Sequence, residues 1–393
     1  VVADGVLNGL DLARLRQMAQ STTPVSDAIA IHLSDSGITV EGDTKGVTAV
    51  SGKTVTISAS GNYTVDGSIT DGQILVNVPD TTADADAVSL YLQDVTMTSS
   101  TGAPCILGQS AKKLKLTCNG TNTLTDTAAE ANADTSGVIY GDCDITVAKN
   151  STGSLNITSS MNTAIRSKDD IKLNGGTIVV NTDVDDTSDA DAIRANNTLE
   201  VDGASVTVTS SADGLKSSKE DVSILSGTVN IKAGNDAVQA VTASGDRGFT
   251  LDENGTLSIT GGNVLATATD YAFGMNASGT AVTVDTSGCT QGVVQLDYAA
   301  EWKKSNAVTL KNGSETVFDM TPSKKYTYVL ASSPKLSASG SYTLYTGGTQ
   351  MTHDGSDNGT FAMTGTPTKF TGVKELTGGS TLPDEDDVVT SLV

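Results

Sequence analysis

The sequence is poor in aromatic residues, in histidine and in basic residues. Aromatic residues make up 4% of the chain, and there are only 2 histidines. The 24 Lys and Arg residues are outnumbered by 46 Asp and Glu residues, which gives a formal net charge of -22. This acidity argues against nucleic-acid binding, because affinity for phosphates depends on basic side chains. It is compatible with secretion, with binding of divalent cations, or simply with solubility.

Cysteine and long apolar runs are also scarce. The four cysteines, Cys105, Cys118, Cys143 and Cys289, form no CxxC pair, which argues against a zinc site. Spread over 393 residues, they also argue against a disulfide framework, and we interpret them as small apolar residues with room for one bridge. No apolar run approaches the roughly 18 residues that a membrane-spanning helix needs, so no transmembrane segment is predicted. The chain starts without Met or a signal peptide, so we expect a processed or truncated N-terminus.

The abundant residues are small, β-branched or turn-forming. Glycine alone contributes 40 residues, and Thr, Ser, Val and Asn are frequent throughout. Such a composition favours many short strands joined by tight turns.

A four-residue motif recurs along the middle of the chain. It consists of an acid, a small residue, an apolar residue and a basic or amide residue, at residues 191–194 (DAIR), 213–216 (DGLK) and 236–239 (DAVQ). Residues 162–166 (NTAIR) have a related shape. The motif therefore marks coils of about 22 residues, each with three strand-length segments.

Apolar residues occupy matching positions from one coil to the next. The predicted inward columns are Ile165, Ile193, Leu215 and Val238; Ile171, Leu199 and Val222; and Ile178, Val206 and Val229. Stacking of three-strand coils at a fixed period predicts an all-β fold, a parallel β-helix. Crossover chirality favours right-handed winding. We assign the β-helix to residues 34–290, a C-terminal β cap of the solenoid to 291–380 and an acidic tail to 381–393.

The N-terminal segment, residues 1–20, resembles half of a dockerin. Asp4, Gly5, Asn8 and Asp11 match positions of its calcium loop, and a helix is expected to follow them. The resemblance implies calcium binding and a cohesin as partner. A short capping helix is the alternative interpretation.

The main body resembles a bacterial carbohydrate-binding β-helix family found in cellulosome-forming bacteria. The D-[AG]-[ILV]-[RKQ] motifs and the stretch SSPKLSASGSYTLYTGG carry the resemblance, which extends over roughly residues 34–348. That family is related in fold to the family 9 polysaccharide lyases. The resemblance implies a secreted or cell-surface protein that contains Ca²⁺ and binds plant cell-wall polysaccharide. Acidic sugars such as polygalacturonate are the implied ligands, with cellulose as a further one.

Stacked acids could bind metal ions. In a β-helix, neighbouring coils lie about 4.8 Å apart, so carboxylates in the same column repel each other. They could share Ca²⁺, which takes six to eight oxygen ligands, or accept N–H groups in a hydrogen-bonded ladder. The candidate metal ligands are Asp191, Asp213 and Asp236 of the motif, Asp183, Asp185, Asp186 and Asp189 of an inserted acidic loop, and Asp80, Asp84 and Asp86 of a separate loop.

A column of cations accompanies the acids. Arg166, Arg194 and Lys216 each follow an inward apolar residue, so they should lie side by side on the outer surface. Stacked cations suit a polymer that carries carboxylates. Alternatively, they only neutralise the acids. Tyr140 lies next to Arg166 in the same column and is the best candidate for stacking on a sugar.

Three functional hypotheses follow. The first is non-catalytic binding of cell-wall polysaccharide with Ca²⁺ as cofactor. The second is a pectate-lyase-like, calcium-dependent enzyme with Lys216 as the base, although neither a tuned pKa nor an enclosing cleft is visible in the sequence. The third is a surface adhesin or structural protein, which leaves the basic column unexplained.

Overall fold

The computed structural model describes most of the solenoid region and separate segments on its C-terminal side. It describes residues 27–184, 190–240, 242–243, 251–252, 257–268, 271–273, 291–302, 307–321, 326–336, 341–346, 349–352, 360–362 and 368–375. All regular secondary structure in these residues is β-strand. The described part of the chain contains no helix with the length and apolar character needed to cross a lipid bilayer.

The strands are short, as the composition predicts. The first twenty-one are β1 (Ile29–Leu33), β2 (Thr39–Glu41), β3 (Thr48–Ser51), β4 (Thr54–Ile57), β5 (Gly61–Thr70), β6 (Gln73–Asn77), β7 (Ala87–Ser99), β8 (Ile106–Ser110), β9 (Lys113–Asn119), β10 (Thr121–Asp126), β11 (Ile139–Gly141), β12 (Asp144–Val147), β13 (Ser154–Ser159), β14 (Ile165–Ser167), β15 (Ile171–Leu173), β16 (Thr177–Asn181), β17 (Ile193–Ala195), β18 (Leu199–Ser210), β19 (Leu215–Ser217), β20 (Val222–Ala233) and β21 (Asp236–Ala240).

The remaining strands belong to the C-terminal part of the chain. They are β22 (Thr242–Ala243), β23 (Leu251–Asp252), β24 (Leu257–Ile259), β25 (Asn263–Ala268), β26 (Tyr271–Phe273), β27 (Val293–Trp302), β28 (Val308–Asn312), β29 (Glu315–Met320), β30 (Tyr326–Ser332), β31 (Ser341–Thr346), β32 (Thr349–Thr352), β33 (Thr360–Ala362) and β34 (Thr368–Glu375).

Most strands belong to two large sheets, between which the chain alternates. A ten-stranded sheet contains β14, β17, β19 and β21, whereas β15, β16, β18 and β20 lie in a 22-stranded sheet. Each strand pairs in parallel with its equivalent one coil later, as β14 does with β17 and β17 with β19. This stacking of parallel coils is β-helix-like, as the repeat predicts.

The predicted inward columns are present in the structure. Ile165 pairs with Ile193, Ile193 with Leu215, and Leu215 with Val238 along the ten-stranded sheet. The columns that begin at Ile171 and Ile178 are likewise in register in the 22-stranded sheet. Their apolar side chains are buried and form one continuous core. Burying each large apolar side chain stabilises the fold by about 1.5–3 kcal/mol. A shift by one residue would expose these side chains, so their burial fixes the register.

One detail differs from the predicted three separate strands in each coil. In the later coils the second and third segments merge into single 12-residue strands, β18 and β20. The predicted turns become bends inside these strands, at Gly203 (φ 106°) and Gly227 (φ 103°). A Cβ on Gly227 would lie 2.2 Å from the carbonyl oxygen of Ala204. Glycine is therefore required there both for its backbone conformation and for the close approach of the neighbouring coil.

The two ends of the described region depart from parallel stacking. Near the N-terminus, β1 with β2 and β3 with β4 form antiparallel pairs. Toward the C-terminus, β25 pairs with β30 in antiparallel fashion, and β27 pairs with β30 and β34. The assignment of residues 291–380 as a cap stays a prediction. The dockerin-like segment and the acidic tail lie outside the described residues.

Candidate functional site

The outer face of the ten-stranded sheet carries the predicted column of polar residues. Tyr140 pairs with Arg166, Arg166 with Arg194, and Arg194 with Lys216, each on a neighbouring parallel strand. Their neighbours in sequence, such as Ile139 and Ile165, point into the core. Strand alternation therefore places the four side chains in one outward column.

The acids of the motif form a ladder beside this column. Asp191, Asp213 and Asp236 are 8%, 4% and 7% exposed. The backbone N–H of Asp213 donates to Oδ1 of Asp191 (3.3 Å), and the N–H of Asp236 donates to Oδ1 of Asp213 (3.2 Å). Each of these two carboxylates thus binds the chain one coil later, the arrangement expected for a hydrogen-bonded ladder.

The fourth residue of each motif binds the acid that opens it. Nη1 of Arg194 lies 3.4 Å from Oδ2 of Asp191, and Nζ of Lys216 lies 2.6 Å from Oδ2 of Asp213. Lys216 also lies 3.6 Å from Asp191, and Nε2 of Gln239 donates to the acid of its own motif at 3.0 Å. The spacing of three residues within the motif therefore places the fourth side chain within reach of the acid that opens the same motif.

Burial and neighbouring charges compete in setting the pKa values of Asp191 and Lys216. Burial raises the pKa of Asp191, an effect that the cations of Lys216 and Arg194 only partly oppose. Burial alone would lower the pKa of Lys216, but the charges of Asp191 and Asp213 outweigh it and raise that pKa above its usual value. Lys216 is therefore protonated at neutral pH and cannot accept a proton there. This geometry counts against Lys216 as the base of a lyase.

At the N-terminal end of the column, the charge of Arg166 is not balanced by an acid in this way. Arg166 forms no ion pair with any of the described residues, and its Nε is buried without a hydrogen-bond partner. Burial and the charge of Arg194 lower its pKa. Tyr140 is 1% exposed. Lys168 donates to its hydroxyl oxygen, but the buried hydroxyl proton has no acceptor among the described residues. An unsatisfied buried polar group costs about 1–3 kcal/mol.

Two cations flank the ring of Tyr140. The guanidinium of Arg166 lies 5.8 Å from the ring centroid, and Nζ of Lys168 lies 5.6 Å from it. These distances allow cation–π attraction. Lys168 also pairs with Asp142 at 2.8 Å, and its hydrogen bonds to Asp142 and then to Tyr140 raise its pKa. Sequence reasoning gave Lys168 no place beside Tyr140, because Lys168 lies at the turn after β14 and not within the repeating motif.

A separate acidic cluster lies at the turns that precede β12 and β15. Carboxylate oxygens of Asp144, Asp169 and Asp170 lie within 4.8 Å of one another, which would allow them to share a metal ion. Burial, followed by the charges of Asp169 and Asp170, raises the pKa of Asp144. Lys113 lies 3.7 Å from Asp144 and opposes this effect. Among the described residues, no other group of three acids meets this distance.

The acids singled out from the sequence are arranged differently. Asp80 accepts the N–H groups of Thr82 and Ala83, and Asp84 accepts the N–H of Ser60. The structure gives no such hydrogen bond to Asp86. Asp183 is partly buried at the start of the acidic loop. Asp185, Asp186 and Asp189 lie outside the described residues. The metal-binding role of these acids and of the ladder stays a prediction.

A cleft of about 610 Å³ lies at the N-terminal end of the described region, beside β1 and β5. Of the two aspartates that line it, Asp27 and Asp43, Asp43 already accepts hydrogen bonds from Val47 and Thr48. Its aromatic residue, Tyr63, donates its hydroxyl proton to the carbonyl oxygen of Ala59. These groups are therefore engaged within the protein, unlike Tyr140 and Arg166.

Fold and surface together describe a parallel β-solenoid whose outer face presents stacked cations. Residues 51–359, most of the chain, match the family of carbohydrate-binding domain-containing proteins. The chain belongs to this family.

Two known proteins are similar to parts of this chain. A carbohydrate-binding domain-containing protein of Acetivibrio thermocellus is 33% identical over 138 residues, which cover 34% of this chain and 46% of that protein. The chain thus aligns with less than half of that relative. The solved structure of a polysaccharide lyase-like protein from C. thermocellum, a gadolinium derivative, is 24% identical. The match covers 63% of this chain and 93% of that one, with a TM-score of 0.49.

Proposed function

We propose that the protein is a non-catalytic, extracellular binding protein for acidic plant cell-wall polysaccharides such as polygalacturonate. Membership of the carbohydrate-binding family supports the general class of ligand. The observation that carries the proposal is the column of Tyr140, Arg166, Arg194 and Lys216 in register on one outer face. In a chain with a net charge of -22, the Arg166 end of this column, which has no counter-ion among the described residues, is where a polyanion would be attracted.

Catalysis is not part of the proposal. The lysine best placed by sequence, Lys216, is 18% exposed and hydrogen-bonded to Asp213. A lyase needs a base that is neutral at working pH and touches the substrate. A protonated, paired lysine meets neither requirement.

One assay tests binding and catalysis together. The full-length protein is incubated with polygalacturonate and Ca²⁺, and retention on the insoluble polymer is followed together with ultraviolet absorbance of unsaturated products. We expect retention that weakens with salt, because exposed charge pairs are screened within about 8–10 Å, and no absorbance change. Unsaturated products would establish the lyase, and lack of retention at low salt would refute the proposed function.

Calcium is proposed as a structural ion at the cluster of Asp144, Asp169 and Asp170. The spacing of their oxygens fits a cation that binds each at about 2.3–2.6 Å. Oxygens of Asp169 and Asp170 also accept N–H groups, from Asn197 and Thr198, as the ladder oxygens do. The ladder fits less well because cations lie 3.4 Å and 2.6 Å from two of its acids, whereas Lys113 lies 3.7 Å from Asp144. A ligand bound only by the native state stabilises it by mass action, so a chelator should lower the Tm of the protein. Asp144→Asn should remove most of that sensitivity, and an unchanged Tm of the parent in chelator would refute calcium binding.

A neutral polymer such as cellulose is a second candidate ligand, favoured by a different surface. The outward residues of β10, β13, β16, the C-terminal half of β18 and that of β20 are almost all Thr, Ser or Asn, with Lys232 as the single charge. One central column runs through Thr123, Asn156, Val179 and Thr207. Such an uncharged, regular array of hydroxyl and amide groups suits a neutral hydroxyl-rich surface.

The two surfaces can be tested separately. Thr207→Arg adds a long cation to the neutral array, where Thr207 is partly exposed, and should leave the core intact. We expect it to reduce cellulose retention and to leave polygalacturonate retention unchanged. Arg166→Met is the matched control and should show the opposite pattern. Equal cellulose retention by parent and Thr207→Arg would exclude this surface.

A further inference from the structure

We infer that Tyr140, Arg166 and Lys168 form a subsite for one sugar carboxylate, and that the subsite distinguishes free uronate from its methyl ester. The inference rests on the proposed function and deepens it, since it assigns recognition of the sugar carboxylate to the N-terminal end of the column, at Arg166.

The first reason is the unequal state of the three stacked cations. Arg194 and Lys216 already have carboxylate oxygens at 3.4 Å and 2.6 Å. Arg166 has none among the described residues, although it is half-buried and pairs with Arg194, a like charge, on the next strand. A half-buried guanidinium without a counter-ion is unfavourable, and an incoming anion would relieve this cost.

The second reason is the pair of unsatisfied donors. The N–H at Nε of Arg166 and the hydroxyl proton of Tyr140 are buried donors without an acceptor among the described residues, although Lys168 donates to the Tyr140 oxygen. Arg166 and Tyr140 are paired on adjacent strands. Tyr140 is 1% exposed, so its hydroxyl is not solvated as a surface tyrosine would be. Buried donors are nearly always paired in native proteins. These two point to a ligand that supplies acceptor oxygens.

The chemistry of the donors selects a carboxylate. A guanidinium presents parallel N–H groups that match the two oxygens of a carboxylate, and a phenol hydroxyl adds one further donor. Lys168 lies at the rim, with its Nζ 5.6 Å from the ring of Tyr140, and its charge is already paired with Asp142 at 2.8 Å. A methyl ester keeps the carbonyl oxygen but loses the charge and the second anionic oxygen. Esterified sugar would therefore leave Arg166 uncompensated.

The sequence explains why only this coil is open. Asp191 stands two residues before Ile193, whereas Thr163 stands two residues before Ile165 at the matching position of the preceding coil. Thr163 has no carboxylate to offer Arg166. In chain order, the column of cations therefore begins at Arg166, one coil earlier than the ladder of acids, which begins at Asp191.

Two measurements on the full-length chain test the subsite. The first is retention on polygalacturonate at low salt for the parent, Arg166→Met and the control Lys172→Met, after circular dichroism has verified the fold. The second follows the Nε–H resonance of Arg166 by ¹⁵N NMR, assigned with Arg166→Lys, during titration with galacturonate, its methyl ester or sulfate.

We expect Arg166→Met to weaken retention about ten- to a hundredfold, the range of a charge-assisted hydrogen bond. Lys172→Met should change it by about twofold at most, because Lys172 lies outside the column, on the 22-stranded sheet, and pairs with Glu200 at 3.7 Å. The Arg166 resonance should move with galacturonate, and neither the ester nor sulfate at equal concentration should reproduce the shift.

The two proposals can fail separately. A resonance that does not respond to galacturonate, or responds equally to the ester or to sulfate, overturns the subsite whether or not the polymer is retained. Equal retention of the parent and Arg166→Met on the polymer overturns it as well. A resonance that responds selectively, in a protein that the polymer does not retain, upholds the subsite and refutes the proposed function.

Discussion

The two ends of one column of side chains differ in how their charges are satisfied. At the C-terminal end, Asp191 and Asp213 accept hydrogen bonds from the next coil and from the cations of their own coils. At the N-terminal end, Arg166 and Tyr140 keep buried donors without partners. The same backbone register thus supports a self-sufficient ladder and an open site. Repetition of the motif thus stabilises the solenoid. Where the motif is interrupted, hydrogen-bond donors are left that a ligand could satisfy.

The largest effect is expected from breaking the ladder. Asp213→Ala removes the acceptor of the Asp236 N–H and leaves buried Lys216 with only the more distant carboxylate of Asp191. Removal of one partner from a buried pair costs about 3–5 kcal/mol. Urea unfolding should show a loss of this order. Asp66→Ala is the control, because Asp66 is half-exposed and pairs only at the surface with His32. Equal losses for the two variants would contradict the ladder.

Alkaline pH should weaken the same end of the column. The folded-state pKa of Lys216 is raised above its usual value of 10.5 by Asp191 and Asp213, which outweigh burial. Its contribution to stability is therefore fully present below pH 10.5 and is lost as the pH rises through the folded-state pKa. Lys216→Met should flatten this part of the curve of unfolding free energy against pH. An identical alkaline limb in the variant would show that Lys216 does not titrate as described.

The open end should respond in the opposite sense. Tyr140→Phe removes a buried hydroxyl whose proton has no acceptor, and Lys168, which donates to that hydroxyl, keeps Asp142 as its partner. The free energy of unfolding should therefore stay the same or rise by about 1 kcal/mol. Retention on polygalacturonate should nevertheless weaken, because the ligand loses a donor. Thermal unfolding and retention are measured on the same preparation. A clear loss of stability would mean that the hydroxyl is satisfied within the free protein.

The sequence was sufficient for the features that repeat. Alternation of apolar residues and a fixed period predicted the inward columns at Ile165 and Ile171, since a shift by one residue would expose every apolar side chain. The same alternation predicted the outward stack of Arg166, Arg194 and Lys216. The right-handed winding and the C-terminal cap stay predictions.

Other features depend on details that a period does not contain. The cluster of Asp144, Asp169 and Asp170 brings together turns of two coils, and the angles at those turns are not encoded in strand alternation. The KDD sequence at residues 168–170 was the available signal. The sequence alone did not show whether Arg194 would bind a glycan or neutralise Asp191, because the choice depends on side-chain distances. The distance of 3.4 Å between Arg194 and Asp191 favours neutralisation.

The most direct test is a substitution that gives Arg166, at the open end of the column, the acidic partner that Arg194 already has. Thr163→Asp places a carboxylate at the position that Asp191 holds one coil later, where it should pair with Arg166 as Asp191 does with Arg194. Thr163→Asn is the control of nearly equal size without the charge. We predict that polygalacturonate retention is lost in Thr163→Asp and kept in Thr163→Asn, with both variants folded by circular dichroism. Retention by folded Thr163→Asp equal to that of the parent would contradict the claim that the missing acid creates the binding site.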